Sequence, residues 1–267
     1  MNKLNIVIAH DLEARFPVEW LGLQQTSDNP KVYGNAAGVQ LVVAGQGRQC
    51  AVAAVEYLAA NQGRAVPTGW LNFGIAGHQS LAPCSTLVPD RILDSAVNET
   101  VYPAPIFAAA NRGLLITVDE PEFNYPQQAA YDMEGAAYWA AATRHGNLEL
   151  VQCLKVVSDN PEHSAEQLTK SKILEILDSA RDDFLELVDS MSQVLTQLPA
   201  PLPFADLYAS LKAKAHFTST QSLQLERLLQ RFHALGLHGE LQTIAEGQHS
   251  DSRTLIGQLE SALSGRR

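Results

Sequence analysis

The first 160 residues contain short runs of β-branched and aliphatic residues separated by mixed segments. Uninterrupted apolar runs of this length are typical of strands that are buried on both faces of a sheet. The clearest helical stretch covers residues 49–61, between two of these runs. Strands that alternate with helices predict an α/β sheet covered by helices on both faces. The predicted strands are 4–9, 39–44, 70–73, 86–88, 114–118 and 150–157.

Residues 164–195 show a helical pattern instead. Ser164 and Gln167 form an S-x-x-Q capping box, which predicts the start of one long helix. Its apolar residues are spaced alternately by four and three positions, a pattern compatible with a coiled-coil dimer interface. The pattern covers only about three heptads, and the flanking positions show no ordered charge pattern. We therefore interpret the segment as a helix that packs on its own sheet. The spaced residues are Ile173, Leu177, Ala180, Phe184, Leu187, Met191 and Val194.

The segment LPAPLPF at 198–204 has three prolines, which stiffen the chain and predict an extended linker. Beyond it, helical spacing returns from Leu225 to Leu235 and, more weakly, at 255–263. The sequence therefore predicts three regions. They are an α/β domain at 1–197, a proline-rich linker at 198–204 and an all-helical extension at 205–267.

Lys and Arg total 19 and Asp and Glu total 29, which gives a net charge of −10 at pH 7. This charge removes the attraction on which non-specific binding to nucleic acids or anionic membranes depends. The three cysteines form neither a disulfide framework nor a C-x-x-C pair. The N-terminal residues do not resemble a signal or transit peptide, and no long apolar stretch follows. We expect a soluble, cytoplasmic protein.

Acidic residues follow several predicted strands. Asp11 and Glu13 follow the first, and Asp159 ends the apolar run KVVSD. Periodicity alone puts Glu134, in YDMEGAA, inside a helix that runs to about residue 143, as a solvated charge. Asp159 fits catalysis at the carboxyl edge of a sheet and ordinary helix capping equally well. These acids together suggest acid/base chemistry on a sugar-like substrate.

Two glycine-rich segments could approach a ligand. AGQGRQ at 44–49 lacks the third small residue of a dinucleotide site, because Cys50 stands at that position. The segment is therefore either a structural turn or a contact with a smaller ligand. NFGIAGH at 72–78 brings bare backbone to the sheet edge, with His78 as a loop residue. A metal site built from His10, Asp11 and His78 has no spacing rule behind it, so no metal is predicted.

Four segments in order resemble the nucleoside phosphorylase and nucleosidase superfamily, particularly its methylthioadenosine/S-adenosylhomocysteine nucleosidase branch. They are HDLE (10–13), NFGIAG (72–77), YDME (131–134) and VVSDN (156–160). The resemblance covers residues 1 to about 195 and leaves the helical extension outside it. It implies a three-layer α/β core with a mixed central sheet. It also implies that YDM ends a strand and that a helix begins near Glu134, against the periodicity.

The resemblance implies roles for individual residues. Asp159 would be the general acid at a departing purine, and Ser158 would help hold it. Glu13 would orient the attacking water, with Asp11 as the alternative. Met133 would pack on the sugar and Glu134 would accept hydrogen bonds from its hydroxyls. The backbone at Ile75, Ala76 and Gly77 would line the substrate site, and Ile75 replaces a serine that is usual in the family.

The resemblance favours a purine nucleosidase that needs no cofactor and binds a small-molecule nucleoside as a homodimer. Asn72 stands where phosphorylases often carry an Arg, which favours water as the nucleophile. Arg48 is a basic residue beside the glycine turn, so a phosphorylase with phosphate as co-substrate is an alternative. The segment between the strand at residue 86 and YDME is shorter than in the family, and in it Phe123 and Tyr125 could stack on a base or simply pack.

A second alternative is a non-catalytic nucleoside-binding protein. The missing middle segment and the loss of a serine at Ile75 motivate it. In that case the helical extension at 205–267 would hold a protein partner. Turnover by the protein would argue against this alternative.

Overall fold

The computed structural model describes residues 3–61, 67–198, 204–247, 249 and 251–264. The chain divides into two compact units. The first comprises residues 1–62 and 67–199, and the second comprises 63–66 and 200–267. Most of the predicted linker, residues 199–203, lies outside the described residues.

The first unit alternates strands with helices for most of its length. Its strands are β1 (Lys3–Ile8), β2 (Gln24–Asp28), β3 (Lys31–Gly34), β4 (Val39–Val43), β5 (Thr68–His78), β6 (Thr86–Asp94), β7 (Glu99–Val101), β8 (Arg112–Thr117), β9 (Ala129–Asp132) and β10 (Val151–Asp159). Its α-helices are α1 (Asp11–Trp20), α2 (Arg48–Ala60), α3 (Gly135–Ala142), α4 (Lys170–Ser179) and α5 (Arg181–Gln197).

All these strands belong to one mixed sheet, in the order β10-β6-β8-β9-β5-β1-β4-β3-β2, with β7 paired to β6. Strand β1 lies parallel to both β4 and β5, and β5 lies parallel to β10. Because β10 pairs with both β5 and β6, the strands β5, β10, β6, β8 and β9 form a closed circuit. The carboxyl ends of β1, β5 and β10 meet at one edge, as expected for parallel neighbours.

Two apolar cores cover the two faces of this sheet. In β1, Leu4, Ile6 and Ile8 pack in one core with helices α4 and α5, and Val7 packs in the other with α2 and α3. Alternate side chains of a strand point to opposite faces, so a strand buried on both faces needs an unbroken apolar run. The predicted three-layer α/β core with a mixed central sheet is confirmed.

The long helix predicted at 164–195 is two helices, and its predicted start is wrong. The Ser164 side chain accepts a hydrogen bond from Glu166 N and caps only a 3-10 turn, Ala165–Gln167. The chain then runs extended through Leu168, and Thr169 caps α4 by accepting from Lys172 N. A break at Ala180 separates α4 from α5. The apolar face packs on the sheet, as predicted.

The helix that periodicity alone predicts through YDMEGAA is also wrong. Strand β9 ends at Asp132, and α3 begins at Gly135 after Glu134 in the N-cap position. The family resemblance predicts this strand-to-helix junction correctly. A helical reading fails because the segment pairs with its neighbours: Tyr131 lies opposite Gly77 of β5 and beside Ile116 of β8.

The second unit is helical in all its described elements. Its helices are α6 (Ala205–Lys214), α7 (Ser219–Ala234), α8 (His238–Glu246) and α9 (Ser252–Leu263). Thr218 and Gln221 form a capping box at the start of α7. Leu225, Leu229 and Phe232 are buried in a core of this unit's own. No helix in the described part of the chain has the length and apolar character needed to span a membrane.

Phe184 tests the packing of α5 on the sheet. Its ring lies 4.9 Å from Phe73 of β5 and 5.5 Å from Trp20 of α1, between ring centroids. We expect Phe184→Ala to lower the free energy of unfolding by about 3–5 kcal/mol, because it removes a fully buried ring and leaves a cavity. Urea denaturation measures this change. Asp189→Ala, at an exposed position of the same helix, should change it by at most about 0.5 kcal/mol; similar losses in both variants would contradict the assignment.

Candidate active site

A cavity of about 530 Å³ lies at the sheet edge where β1, β5, β9 and β10 end. Eight of the site residues predicted from the sequence are among its lining residues. These are Glu13, Ile75, Ala76, Gly77, Met133, Glu134, Ser158 and Asp159. The cavity therefore brings together segments that are far apart in the sequence.

Glu13 enters the cavity from the first turn of α1. His10 is the N-cap of that helix, and Glu13 Oε2 accepts from His10 N at 3.0 Å to complete a capping box. The other carboxylate oxygen, Oε1, accepts from Ile75 N on β5 at 2.9 Å. A Cβ at Gly74 would lie only 2.8 Å from this oxygen, so a side chain there would have to displace the carboxylate. Burial, to 7% exposure, raises the pKa of Glu13.

Asp11 does not reach the cavity. Its side chain is 60% exposed and forms an ion pair with Lys31 at 2.6 Å, outside the lining residues. The geometry thus separates the two acids of HDLE: Glu13 faces the cavity, and Asp11 faces solvent.

Glu134 is buried at 8% exposure, which contradicts its reading as a solvated charge. Its Oε1 accepts from Gly47 N at 2.7 Å. Gly47 has a φ of +92° and stands at the N-cap of α2, where free N–H groups attract an anion. The glycine turn predicted at 44–49 therefore contacts a carboxylate of the protein itself. Burial is the main cause that raises the pKa of Glu134.

A buried ion pair that the sequence motifs did not predict supports these acids. Lys155 Nζ lies 2.8 Å from Asp132 Oδ2, and both side chains are at most 2% exposed. Asp132 also accepts from Gly135 N and from Thr117 Oγ1, each at 2.7 Å. Burial by itself would lower the pKa of Lys155, but the carboxylates of Asp132 and Glu134 raise it, so the ammonium stays charged.

The sequence carries a signal for this pair. Lys155 is the one charged residue between Val151 and Ser158, in a strand that is otherwise apolar except for Gln152. A charged side chain in the middle of such a strand must be paired once it is buried. The sequence also indicates a candidate partner, because Asp132 and Glu134 form an acidic pair around Met133.

Asp159 is the last residue of β10 and is 6% exposed. The Ser158 hydroxyl contacts Asp159 Oδ1 and lies 3.3 Å from Ala76 O. The Tyr125 hydroxyl donates to the other carboxylate oxygen, Oδ2. Both oxygens thus have hydroxyl partners. Phe123 lines the cavity at 61% exposure, whereas Tyr125 does not line it and packs against Tyr131.

Asn72 and His78 have partners within the protein. Asn72 is buried in β5, donates to Val7 O at 3.0 Å and does not line the cavity, so its side chain is no guide to the nucleophile. His78 is not in a loop: it ends β5, and its Nδ1 accepts from Ser80 N and Leu81 N, both at 2.9 Å. Burial lowers the pKa of His78.

Arg48 is fully engaged by the protein. Its guanidinium contacts Asp119 at 2.5 Å and Asp94 at 2.7 Å, and it donates to Thr117 O at 2.9 Å. The two carboxylates raise the pKa of Arg48 against the opposing effect of burial. Within the described residues, no cluster of three His, Cys, Asp or Glu side chains is arranged to hold a metal ion.

No protein-family model and no curated protein matches the sequence. Solved structures do match. One is the 5′-methylthioadenosine/S-adenosylhomocysteine nucleosidase of S. pneumoniae with a transition-state inhibitor, at 22% identity and a TM-score of 0.56, covering 71% of this chain and 99% of that one. The nucleosidase of Helicobacter pylori with the same name has 15% identity and a TM-score of 0.59, with the same coverage.

A further match is the futalosine hydrolase of Helicobacter pylori, at 14% identity and a TM-score of 0.59, covering 71% of this chain and 98% of that one. These similarities establish that the chain has the nucleosidase fold, which confirms the fold predicted from the four motifs. The homodimer, the cytoplasmic location and the absence of a cofactor stay predictions. The alternative in which residues 205–267 hold a protein partner also stays a prediction.

Lys155 tests the electrostatics of the site. We expect Lys155→Met to lower the free energy of unfolding by about 3–5 kcal/mol, because it leaves the buried carboxylate of Asp132 without its counter-charge. Urea denaturation at neutral pH measures this loss. The control Lys172→Met breaks an exposed pair with Glu175 and should cost at most about 0.5 kcal/mol. Equal effects of the two variants would refute the importance of the buried pair.

Proposed function

We propose that this protein is a nucleosidase that hydrolyses the N-glycosidic bond of a purine or purine-like nucleoside. The observation that carries the proposal is the convergence of Glu13, Glu134 and Asp159 on one cavity at the carboxyl edge of the sheet. The named activities of the structural neighbours, nucleosidases and a futalosine hydrolase, support the same chemistry.

The proposed reaction assigns one task to each acid. Asp159 gives a proton to N7 of the base while the C1′–N9 bond breaks and its electron pair moves into the base. Water attacks C1′, and Glu13 takes a proton from that water. Glu134 accepts hydrogen bonds from the ribose hydroxyls, which strengthen as the sugar gains oxocarbenium character. Nucleoside and water thereby become free base and free sugar.

Three features support water over phosphate as the nucleophile. Arg48, the basic residue nearest the glycine turn in sequence, is already bound by Asp94 and Asp119. The Gly47 N–H, which could bind a phosphate at the start of α2, already binds Glu134. In addition, the described lining residues include six carboxylates and no Lys or Arg, a surface that repels a phosphate dianion. A phosphorylase is therefore the weaker alternative.

Activity and the role of Asp159 are tested together. We expect the protein to release free base and reducing sugar from a panel of purine nucleosides, including methylthioadenosine, adenosylhomocysteine, adenosine and inosine, in phosphate-free buffer. Asp159→Asn should lower kcat by about 10²- to 10⁴-fold, because it removes the general acid. Release of base measured by chromatography gives both results.

Asp11→Asn is the matched control, because Asp11 is an exposed acid of the same segment, and its turnover should equal that of the wild type. Turnover only with added phosphate would identify a phosphorylase. A folded protein that cleaves no member of the panel would refute the proposed hydrolysis of these nucleosides.

The pH dependence tests Glu13. Burial raises the pKa of Glu13 above its ordinary value of 4.5, and Glu13 must be ionised to take a proton from water. As the pH falls through this raised pKa, Glu13 is protonated and kcat/KM falls. We therefore expect the acid limb of the profile to lie above pH 4.5. Initial rates from about pH 4 to about pH 8 measure it, and a profile that stays level through pH 4.5 would exclude Glu13 as the base.

A further inference from the structure

The segment at 119–128 contacts the candidate general acid, Asp159, on the side away from the cavity. Tyr125, in this segment, is 4% exposed and donates from its hydroxyl to Asp159 Oδ2. The Ser158 hydroxyl occupies the other oxygen. Asp159 lines the cavity while Tyr125 does not. The carboxyl group therefore stands between the cavity and a phenol that does not line it.

A slot in β5 fits the Tyr125 ring. A Cβ at Gly77 would lie 2.6 Å from Tyr125 Cε1, 2.7 Å from its hydroxyl and 3.0 Å from Asp159 Oδ2. Only glycine at this position lets the phenol and the carboxylate meet against the strand. The ring also packs on Tyr131, with centroids 5.7 Å apart. The contact is thus built by β5, β9 and β10 together.

The backbone at Tyr125 has a φ of +44°, in the left-handed region that residues with side chains rarely adopt. Such conformations persist where the surroundings hold them, and they cluster at functional sites. Burial raises the pKa of the Tyr125 phenol, and the bond to Asp159 and the nearby Glu122 raise it further. The phenol therefore stays protonated and acts as a donor.

We propose that Tyr125 is a positioning residue for the general acid Asp159, an inference that rests on the proposed nucleosidase reaction. When Asp159 gives its proton to the leaving base, it becomes an anion. The hydrogen bond from Tyr125 then strengthens, because a donor binds a carboxylate more tightly than a carboxylic acid. Each carboxyl oxygen has two lone pairs, so Oδ2 accepts from Tyr125 without losing its access to the base.

The test is Tyr125→Phe, which keeps the ring and removes the hydroxyl. We expect kcat to fall about 10- to 100-fold, the effect of one hydrogen bond to a charged group, on the nucleoside that the wild type cleaves. KM should change by less than about twofold, because the bond gains strength in the transition state and not on binding. In the Asp159→Asn background the same substitution should change kcat by less than about threefold, because its effect passes through Asp159.

Tyr138→Phe is the matched control. It removes another buried tyrosine hydroxyl, which donates to Gln152 O at 3.2 Å and lies outside the cavity. We expect it to leave kcat and KM at their wild-type values. Circular dichroism of each variant verifies that it is folded.

The outcomes separate the two proposals. An active wild type with an unchanged kcat in Tyr125→Phe, or with a loss that appears in KM alone, would overturn the role of Tyr125 and leave the nucleosidase intact. An equal loss of kcat in the Asp159→Asn background would also overturn it, because Tyr125 would then act independently of Asp159. A folded wild type that cleaves no nucleoside would remove the proposed function, and this inference with it.

Discussion

The buried ammonium of Lys155 is the feature on which the rest of the site depends. Glu13, Asp132, Glu134 and Asp159 are each less than 9% exposed and lie at one edge of the sheet. Carboxylates held this close in a medium of low dielectric constant repel one another and lose their hydration. Lys155 forms an ion pair with Asp132 and attracts Glu13 and Glu134. A single buried positive charge thereby offsets the carboxylates of Asp132, Glu13 and Glu134.

Backbone N–H groups complete this compensation. Glu13 accepts from His10 and Ile75, Glu134 accepts from Gly47, and Asp132 accepts from Gly135. Each donor lies at a helix start or in a strand where the backbone approaches closely. Two glycines leave room for these carboxylates, because a Cβ at 74 would press on Glu13 and one at 135 would press on Asp132. Acids, glycines and helix starts therefore form one arrangement.

The same arrangement disfavours the binding of phosphate in the cavity. The acids that line the cavity repel anions, and the two groups suited to phosphate, Arg48 and the Gly47 N–H, are occupied by carboxylates of the protein. This surface is consistent with the proposed reaction of a neutral nucleoside with water. The segment at 119–128 contributes Phe123 to the cavity lining, and its Tyr125 donates a hydrogen bond to Asp159.

The sequence by itself determined the α/β alternation, because that depends on local apolar patterns. The resemblance of the four short motifs predicted eight residues that are among those lining the cavity. The sequence did not determine the break at Ala180. Periodicity did not determine the end of β9 either, because strand pairing overrode the helical spacing of residues 131–137. Only the tertiary structure separated Glu13 from Asp11, gave Arg48 its carboxylate partners and paired Lys155 with Asp132. The physical reason is distance along the chain. Glu13 meets Ile75 across 62 positions and Gly47 meets Glu134 across 87, and such contacts exist only once the sheet has brought its strand ends together.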